Sequence, residues 1–182
     1  MSTVTSYNPA RPAEVLGEFP SADAAAVDRA VAAATEAQRS WAKVPVPLRA
    51  DIVAEAGRLL TERKDELAAL VSREAGKVLI EGGGEVQEAI DMAAYVAGQG
   101  RGAMGEVVPS ELRNKMAFTT RIPVGIVGMI TPWNFPMAIP SWKCFPALLA
   151  GNGIVIKPSE LAPVCGEAFV EVLAESGVPE GL

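Results

Sequence analysis

Asn134 stands in the stretch Thr131-Pro132-Trp133-Asn134-Phe135-Pro136, a carboxamide held between two prolines and two aromatic rings. A side-chain amide in a rigid loop can donate a hydrogen bond to a developing oxyanion, and losing one such donor typically costs about 3 kcal/mol of transition-state stabilisation. Taken alone, an asparagine in a proline-rich loop is more often a turn or cap residue. A second polar group, Lys157-Pro158-Ser159-Glu160, reads by itself as a strand-ending lysine followed by the turn into a helix. Two cysteines complete the inventory. Cys144 follows Lys143, which would lower its pKa if both were exposed, but Trp142, Phe145 and Leu148 around it predict a buried structural thiol. The sequence has no histidine, which excludes Ser-His and Cys-His pairs and removes the usual zinc spacings.

The elements that must position these groups follow from the apolar spacing. Ser21 reads as an N-cap, and Val27, Val31, Ala34, Ala37 and Trp41 follow at the steps of one buried helical face. Pro45 and Pro47 break the run, and a second helix starts near Leu48 with Ile52, Ala56, Leu59 and Leu60 on its apolar side. A third covers Lys64 to Ala75, burying Leu67, Leu70 and Val71 and stopping at Gly76. Gly82 to Gly84 make a poor helix interior, so the spacing predicts a fourth helix from Glu85 to about Gly98, presenting Val86, Ala89, Ile90 and Ala93.

Beyond the Gly-rich stretch 98–105 and Pro109, the segment MAFTTRI suits a strand or an extended connector. Val124 to Ile130 is nearly continuously apolar, as for a parallel strand buried on both faces. Ala138 to Ala150 is the crossover helix, with Pro140 in its first turn and Pro146 expected to bend it. Gly151 to Gly153 end it, Ile154 to Ile156 form the next strand, and Glu167 to Ser176 another amphipathic helix. The fold class is therefore α/β, an N-terminal helical layer followed by the first strand-helix units of a doubly wound parallel sheet, incomplete within this length. The corresponding division is a helical part over 1–108, a connector over 109–123 and the start of the sheet over 124–182. Gly100, Gly102 and Gly105 satisfy G-x-G-x-x-G, yet they follow a helix and precede a proline, so they read as a flexible linker. Gly125 and Gly128 read as close backbone packing within the strand.

Composition narrows the function classes. With 182 residues, 49% apolar and 21% charged, the chain can build a globular core. A net charge of −6 and the lack of a basic tract interleaved with aromatics argue against nucleic acid. No apolar run reaches the length of a membrane span, and the N-terminus lacks the pattern of an export signal, so the expectation is a cytoplasmic protein.

TPWNFPMAIPSWK, then PALLAGN, then KPSE resemble the corresponding stretch of the NAD(P)-dependent aldehyde dehydrogenase superfamily, with a weaker likeness running from Asn8-Pro9 through Glu74-Ala75-Gly76-Lys77 to the C-terminus. By that resemblance Asn134 is the side-chain half of the oxyanion hole, and Lys143 a proton-relay or supporting lysine near the active site. Ile130, Thr131, Pro132 and Trp133 line the cofactor cleft, and Lys157 and Glu160 hold the adenosine ribose hydroxyls with Ser159 beside them. A carboxylate on both hydroxyls would favour NAD, whereas Lys157 and Ser159 could welcome a 2′-phosphate, so either NAD or NADP is implied. The family's nucleophilic cysteine lies far downstream of its asparagine, so neither Cys144 nor Cys165 inherits that role.

The resemblance implies oxidation of a small-molecule aldehyde to an acid, without a metal, by a homo-oligomer when full length. The region Glu81 to Pro109 and MAIPSWK are similar to members acting on carboxylate-bearing semialdehydes. The chemistry needs a thiolate nucleophile and a carboxylate base, which the motifs do not supply. The isolated chain is therefore expected to be an N-terminal portion, inactive alone and unstable or prone to associate. The alternative is a non-catalytic remnant that binds a partner subunit or a nucleotide.

Overall fold

The structure is a computed structural model, and it describes residues 2–102 and 104–182. Met1 and Ala103, the latter within the Gly-rich linker, lie outside the described residues. The chain opens on an antiparallel hairpin that the sequence reading did not anticipate: β1 (Thr3–Asn8) pairs with β2 (Arg11–Pro20). Register shifts between Ser6 and Tyr7 and between Tyr7 and Asn8 break the two-residue alternation by which a strand is recognised. The turn is built by Asn8, whose Oδ1 accepts the Ala10 N–H at 2.9 Å while its amide donates to Glu14 at 2.8 Å.

Four helices follow: α1 (Ala24–Trp41), α2 (Val46–Glu62), α3 (Lys64–Ala75) and α4 (Leu79–Gln99). The N-cap of α1 is Asp23 rather than Ser21; its Oδ1 accepts the Ala26 N–H at 2.8 Å. Val27 and Val31 are 47% and 41% exposed, and only the C-terminal half of the predicted stripe, Ala34 and Trp41, is buried. The buried half is the half that lies against the sheet, where a side chain at Gly153 would stand 3.1 Å from the Ala34 carbonyl. Helix α3 matches its predicted limits and ends at Gly76 in the left-handed region.

Helix α4 starts at Leu79, before the predicted Glu85, and runs through Gly82, Gly83 and Gly84. Tertiary packing overrides propensity here, since a Cβ at Gly82 would lie 2.6 Å from the Ala68 carbonyl oxygen of α3. Glycine is what lets the two helices approach. The linker then leads to a short antiparallel pair, β3 (Val107–Val108) with β4 (Ala117–Phe118), so the predicted alternating segment does hold a strand. Gly100 caps α4, so the triplet does not open a helix after a strand, but Gly105 packs directly against the Thr119 carbonyl, which is tighter than the flexible linker the sequence suggests.

The parallel unit comes last: β5 (Ile126–Ile130), α5 (Ala138–Leu149), β6 (Gly153–Lys157) and α6 (Pro163–Glu175). Strands β5 and β6 pair in parallel, Ile126 opposite Gly153 through Ile130 opposite Lys157. One face of this pair, carrying Val127, Met129, Ile154 and Ile156, packs on the core. The other face is open at its carboxyl end, with Ile130 85% exposed, which corrects the expectation of burial on both faces. The cause is partial cover: α1 packs closely at the amino end of the pair, around Gly153, and leaves the carboxyl end uncovered. Gly128 has nothing within 4 Å of where a Cβ would sit, and Gly125 has φ +112°, so neither is a site of close backbone packing. Gly125 is required by its backbone angle, and Gly128 leaves the open face flat.

The core joins the helical layer to the parallel unit through Trp41, Leu60, Leu67, Val86, Phe145 and Phe169. The Phe145 and Phe169 rings sit tilted at 5.7 Å, an arrangement contributing about 1 kcal/mol beyond area burial. The C-terminus of α5 is held from the helical layer: buried Arg49 donates from Nε to the Leu149 carbonyl at 2.9 Å, and Trp41 Nε1 donates to Leu148 at 2.9 Å. Arg49 also donates to the Val44 carbonyl at 2.5 Å. Burial lowers its pKa from the ordinary arginine value, yet an arginine so placed stays cationic and complements the negative end of the helix dipole. Among the described residues no helix is long and apolar enough to cross a membrane.

Candidate active site and cofactor cleft

Of the residues singled out by sequence, those of the segments 130–134 and 157–160 follow directly on the carboxyl ends of β5 and β6, where a doubly wound sheet places its ligands, whereas Lys143 lies midway along α5. Ile130 and Lys157 are register partners, and alternation along the strands puts both on the open face with Gly128 and Val155. Lys157 Nζ donates to Glu160 at 2.8 Å. That hydrogen bond is the main reason the Glu160 carboxyl is held below the usual carboxylate range. Both side chains are exposed, so the pair adds little to stability and remains available to a ligand. Ser159 is buried, its Oγ accepting the Leu161 N–H at 3.2 Å in the turn that enters α6.

The loop after β5 leaves the sheet at Thr131, whose N–H still donates to the Lys157 carbonyl at 3.2 Å. Thr131 is buried, while Pro132, Trp133 and Asn134 are exposed in sequence. Trp133 and Glu160 line a cavity of about 340 Å³ whose other walls include Thr5, Tyr7 and Glu74. Lys143 is exposed on α5.

Sequence reasoning missed the groups that fix these loops. Glu85 of α4 is buried, and its Oε1 accepts the Met137 N–H at 2.7 Å, at the N-cap position of α5 where no side chain of the helix itself caps. Lys77 donates to the other oxygen, Oε2, at 2.6 Å. Its Nζ lies 4.1 Å from the Phe135 ring centroid, and Phe135 stacks on Trp142 at 6.3 Å. Glu74 of α3 does the same for α6, accepting the Val164 and Cys165 N–H groups at 2.9 and 2.7 Å and the Ser6 hydroxyl at 2.6 Å. A carboxylate suits a helix N-terminus on both counts, hydrogen-bonding orphan amides and complementing the dipole.

A signal for these acids existed. Glu85 precedes Ala89, Ala93 and Val96, and Glu74 follows Leu67 and Val71, each in register with a buried stripe. A charge in a core register must be paired or hydrogen-bonded.

Both cysteines are buried. Burial pushes the Cys144 thiol up to about 12, and burial, then the neighbouring Glu74 charge, raises that of Cys165. The structural reading of Cys144 agrees with this, and neither thiol is a ready nucleophile.

Comparison with known proteins gives the frame for this geometry. Residues 1–182 match the family model described as "Aldehyde dehydrogenase family". The chain belongs to the aldehyde dehydrogenase family. It is 40% identical over 175 residues to the alpha-ketoglutaric semialdehyde dehydrogenase of Bacillus subtilis (strain 168), covering 96% of this chain and 36% of that relative. Among solved structures it resembles an E. coli NADP-dependent enzyme with TM-score 0.94 at 33% identity, covering 99% of this chain and 37% of that one. It also resembles an NAD-dependent benzaldehyde dehydrogenase from Corynebacterium glutamicum with TM-score 0.92 at 33% identity, covering 99% and 39%. The α/β arrangement is therefore that of the N-terminal portion of an aldehyde dehydrogenase, and the chain spans 36% of the length of the curated relative it matches.

Proposed function

We propose that this chain supplies the oxyanion donor and part of the NAD(P) cleft of an aldehyde dehydrogenase that oxidises a semialdehyde to the corresponding acid. The observation that carries the proposal is the shared open face at the strand ends, where Ile130 pairs with Lys157 and Lys157 with Glu160, beside the loop bearing Asn134. The fit to a dinucleotide rests on the same observation, because Gly128 leaves the shelf unfilled and Glu160 presents a charged acceptor. When bound, the nicotinamide supplies the hydride acceptor.

The chain's own residues do the rest of what is assigned here. The Asn134 amide donates to the oxygen that gains charge when a nucleophile adds to the aldehyde carbon. Glu160 accepts ribose hydroxyls, Lys157 and Ser159 border them, and Ile130, Thr131, Pro132 and Trp133 form the wall against which the nucleotide lies. Lys143, exposed midway along α5, is assigned a proton-relay or supporting role by the family resemblance alone. Cys144 and Cys165 are buried, so the thiolate that adds to the aldehyde comes from outside these residues. The semialdehyde assignment is supported by the name of the Bacillus subtilis relative. Exposed Val107, Met116 and Phe118 around β3 and β4 support association between copies.

Titration of NAD or NADP into the chain, followed by the Trp133 indole resonance, tests the cleft. Saturable shifts that weaken at least tenfold in Lys157→Ala and Glu160→Ala are expected. Absence of binding in the wild-type chain would overturn the cofactor assignment, and NADH formation on adding a semialdehyde would overturn the statement that the nucleophile lies elsewhere.

A further inference from the structure

We infer that Lys77 and Glu85 are positioning residues for the loop from Thr131 to Met137, and through it for the carboxamide of Asn134; the inference rests on Asn134 being the oxyanion donor. Four contacts define the device. The Glu85 side chain is 0% exposed and that of Lys77 18% exposed, and they pair at 2.6 Å. The second Glu85 oxygen holds the Met137 N–H at 2.7 Å. The Lys77 ammonium faces the Phe135 ring, next to Asn134, at 4.1 Å. At the opposite end Thr131 is tied to Lys157 at 3.2 Å. Between the two anchors Pro132 and Pro136 restrict the backbone further.

The chemistry favours positioning over simple stabilisation. A buried ion pair contributes little net stability compared with well-packed apolar groups, because desolvating both charges offsets their attraction. What this pair provides is direction: one carboxylate oxygen addresses the backbone where the loop becomes α5, and the cation addresses the ring beside Asn134. Lys77 itself is placed by Gly76, whose φ of +69° and close approach to Pro9 set the path between α3 and α4. A donor amide misplaced by 1 Å can cost about 10²-fold in rate, so a link of this kind is needed where the donor sits in an exposed loop.

The test is hydrogen exchange by NMR on the uniformly labelled 182-residue chain, which requires neither turnover nor nucleotide. In Glu85→Ala the Met137 amide is expected to exchange at least tenfold faster and the Asn134 side-chain amide resonances to shift, while protection at Val71 of α3 and Val155 of β6 changes less than twofold. Glu85→Gln keeps an acceptor for Met137 and is expected to recover most of the protection. Lys77→Met, at the rim of the cluster, loosens the loop without emptying the core, and Lys77→Arg restores it. Protection lost uniformly in Lys77→Met, or unchanged in it, would overturn the inference, and so would failure of Glu85→Gln to recover what Glu85→Ala loses. These readouts stay separate from the oxyanion assignment, because the exchange pattern reports the anchor of the loop whether or not the Asn134 amide serves as the donor.

Discussion

Glu74 of α3 accepts the backbone amide of Cys165 at 2.7 Å across most of a domain's length of sequence, so a carboxylate from one helix closes the N-terminus of another. With Ser6 and Val164 on its first oxygen, the same side chain binds the hairpin, the helical layer and α6 at one point. Glu74→Ala leaves two amides and a hydroxyl without their acceptor, and a loss of about 3 kcal/mol is expected. Urea denaturation followed by circular dichroism measures it; a midpoint equal to wild type would refute this role.

Two of the three adjacent glycines of α4, Gly82 and Gly84, are expected to respond oppositely to alanine. Gly84→Ala meets open space and should raise stability by up to about 1 kcal/mol through helix propensity. Gly82→Ala places a methyl 2.6 Å from the Ala68 carbonyl and should cost more than the other gains. Thermal melts of the two variants, read side by side, decide the matter.

Both thiols should be silent toward an aromatic disulfide reagent near neutral pH and react fully only once denaturant opens the core. The linkage has a definite sign. A thiol whose folded pKa is raised holds its proton more tightly folded than unfolded, so the associated stability is intact below the ordinary value of 9.0 and declines as pH rises toward about 12. Cys144→Ala should flatten part of that alkaline decline, measured as the urea midpoint against pH.

Glu160 gives the opposite dependence. Its carboxyl is depressed chiefly by the Lys157 hydrogen bond, so the charged form persists as pH falls through the usual carboxylate range. NAD affinity is expected to be level from neutral pH down to that range and to drop only below it. Glu160→Gln should remove the acid limb and weaken NAD more than NADP, by isothermal titration.

Much of the arrangement was legible because its signals are local. The limits of α3, the crossover helix α5 and the pair β5 and β6 follow from apolar periodicity and from Gly76 and Gly151 as stops, and the TPWNFP and KPSE turns are legible as loops at the ends of those strands. What escaped depends on long-range partners. The β1–β2 hairpin is broken by bulges, the start of α4 is decided by the backbone of α3 pressing on Gly82, and the open face of β5 reflects how far α1 extends. Arg49, Glu74 and Glu85 occupy stripe positions beside Val53, Val71 and Ala89, and reading stripes for apolar residues alone passes over them.

Glu74 and Glu85 both grip main-chain amides, those of Val164, Cys165 and Met137, and not the side chains that these residues carry. The grip itself does not read side-chain identity, since any residue except proline offers the same N–H; at Met137 and Cys165 identity is set instead by burial in the core. The acids have no such indifference: only a side chain that reaches from α3 or α4 with two acceptor oxygens can hold the start of a neighbouring helix and a second group at once.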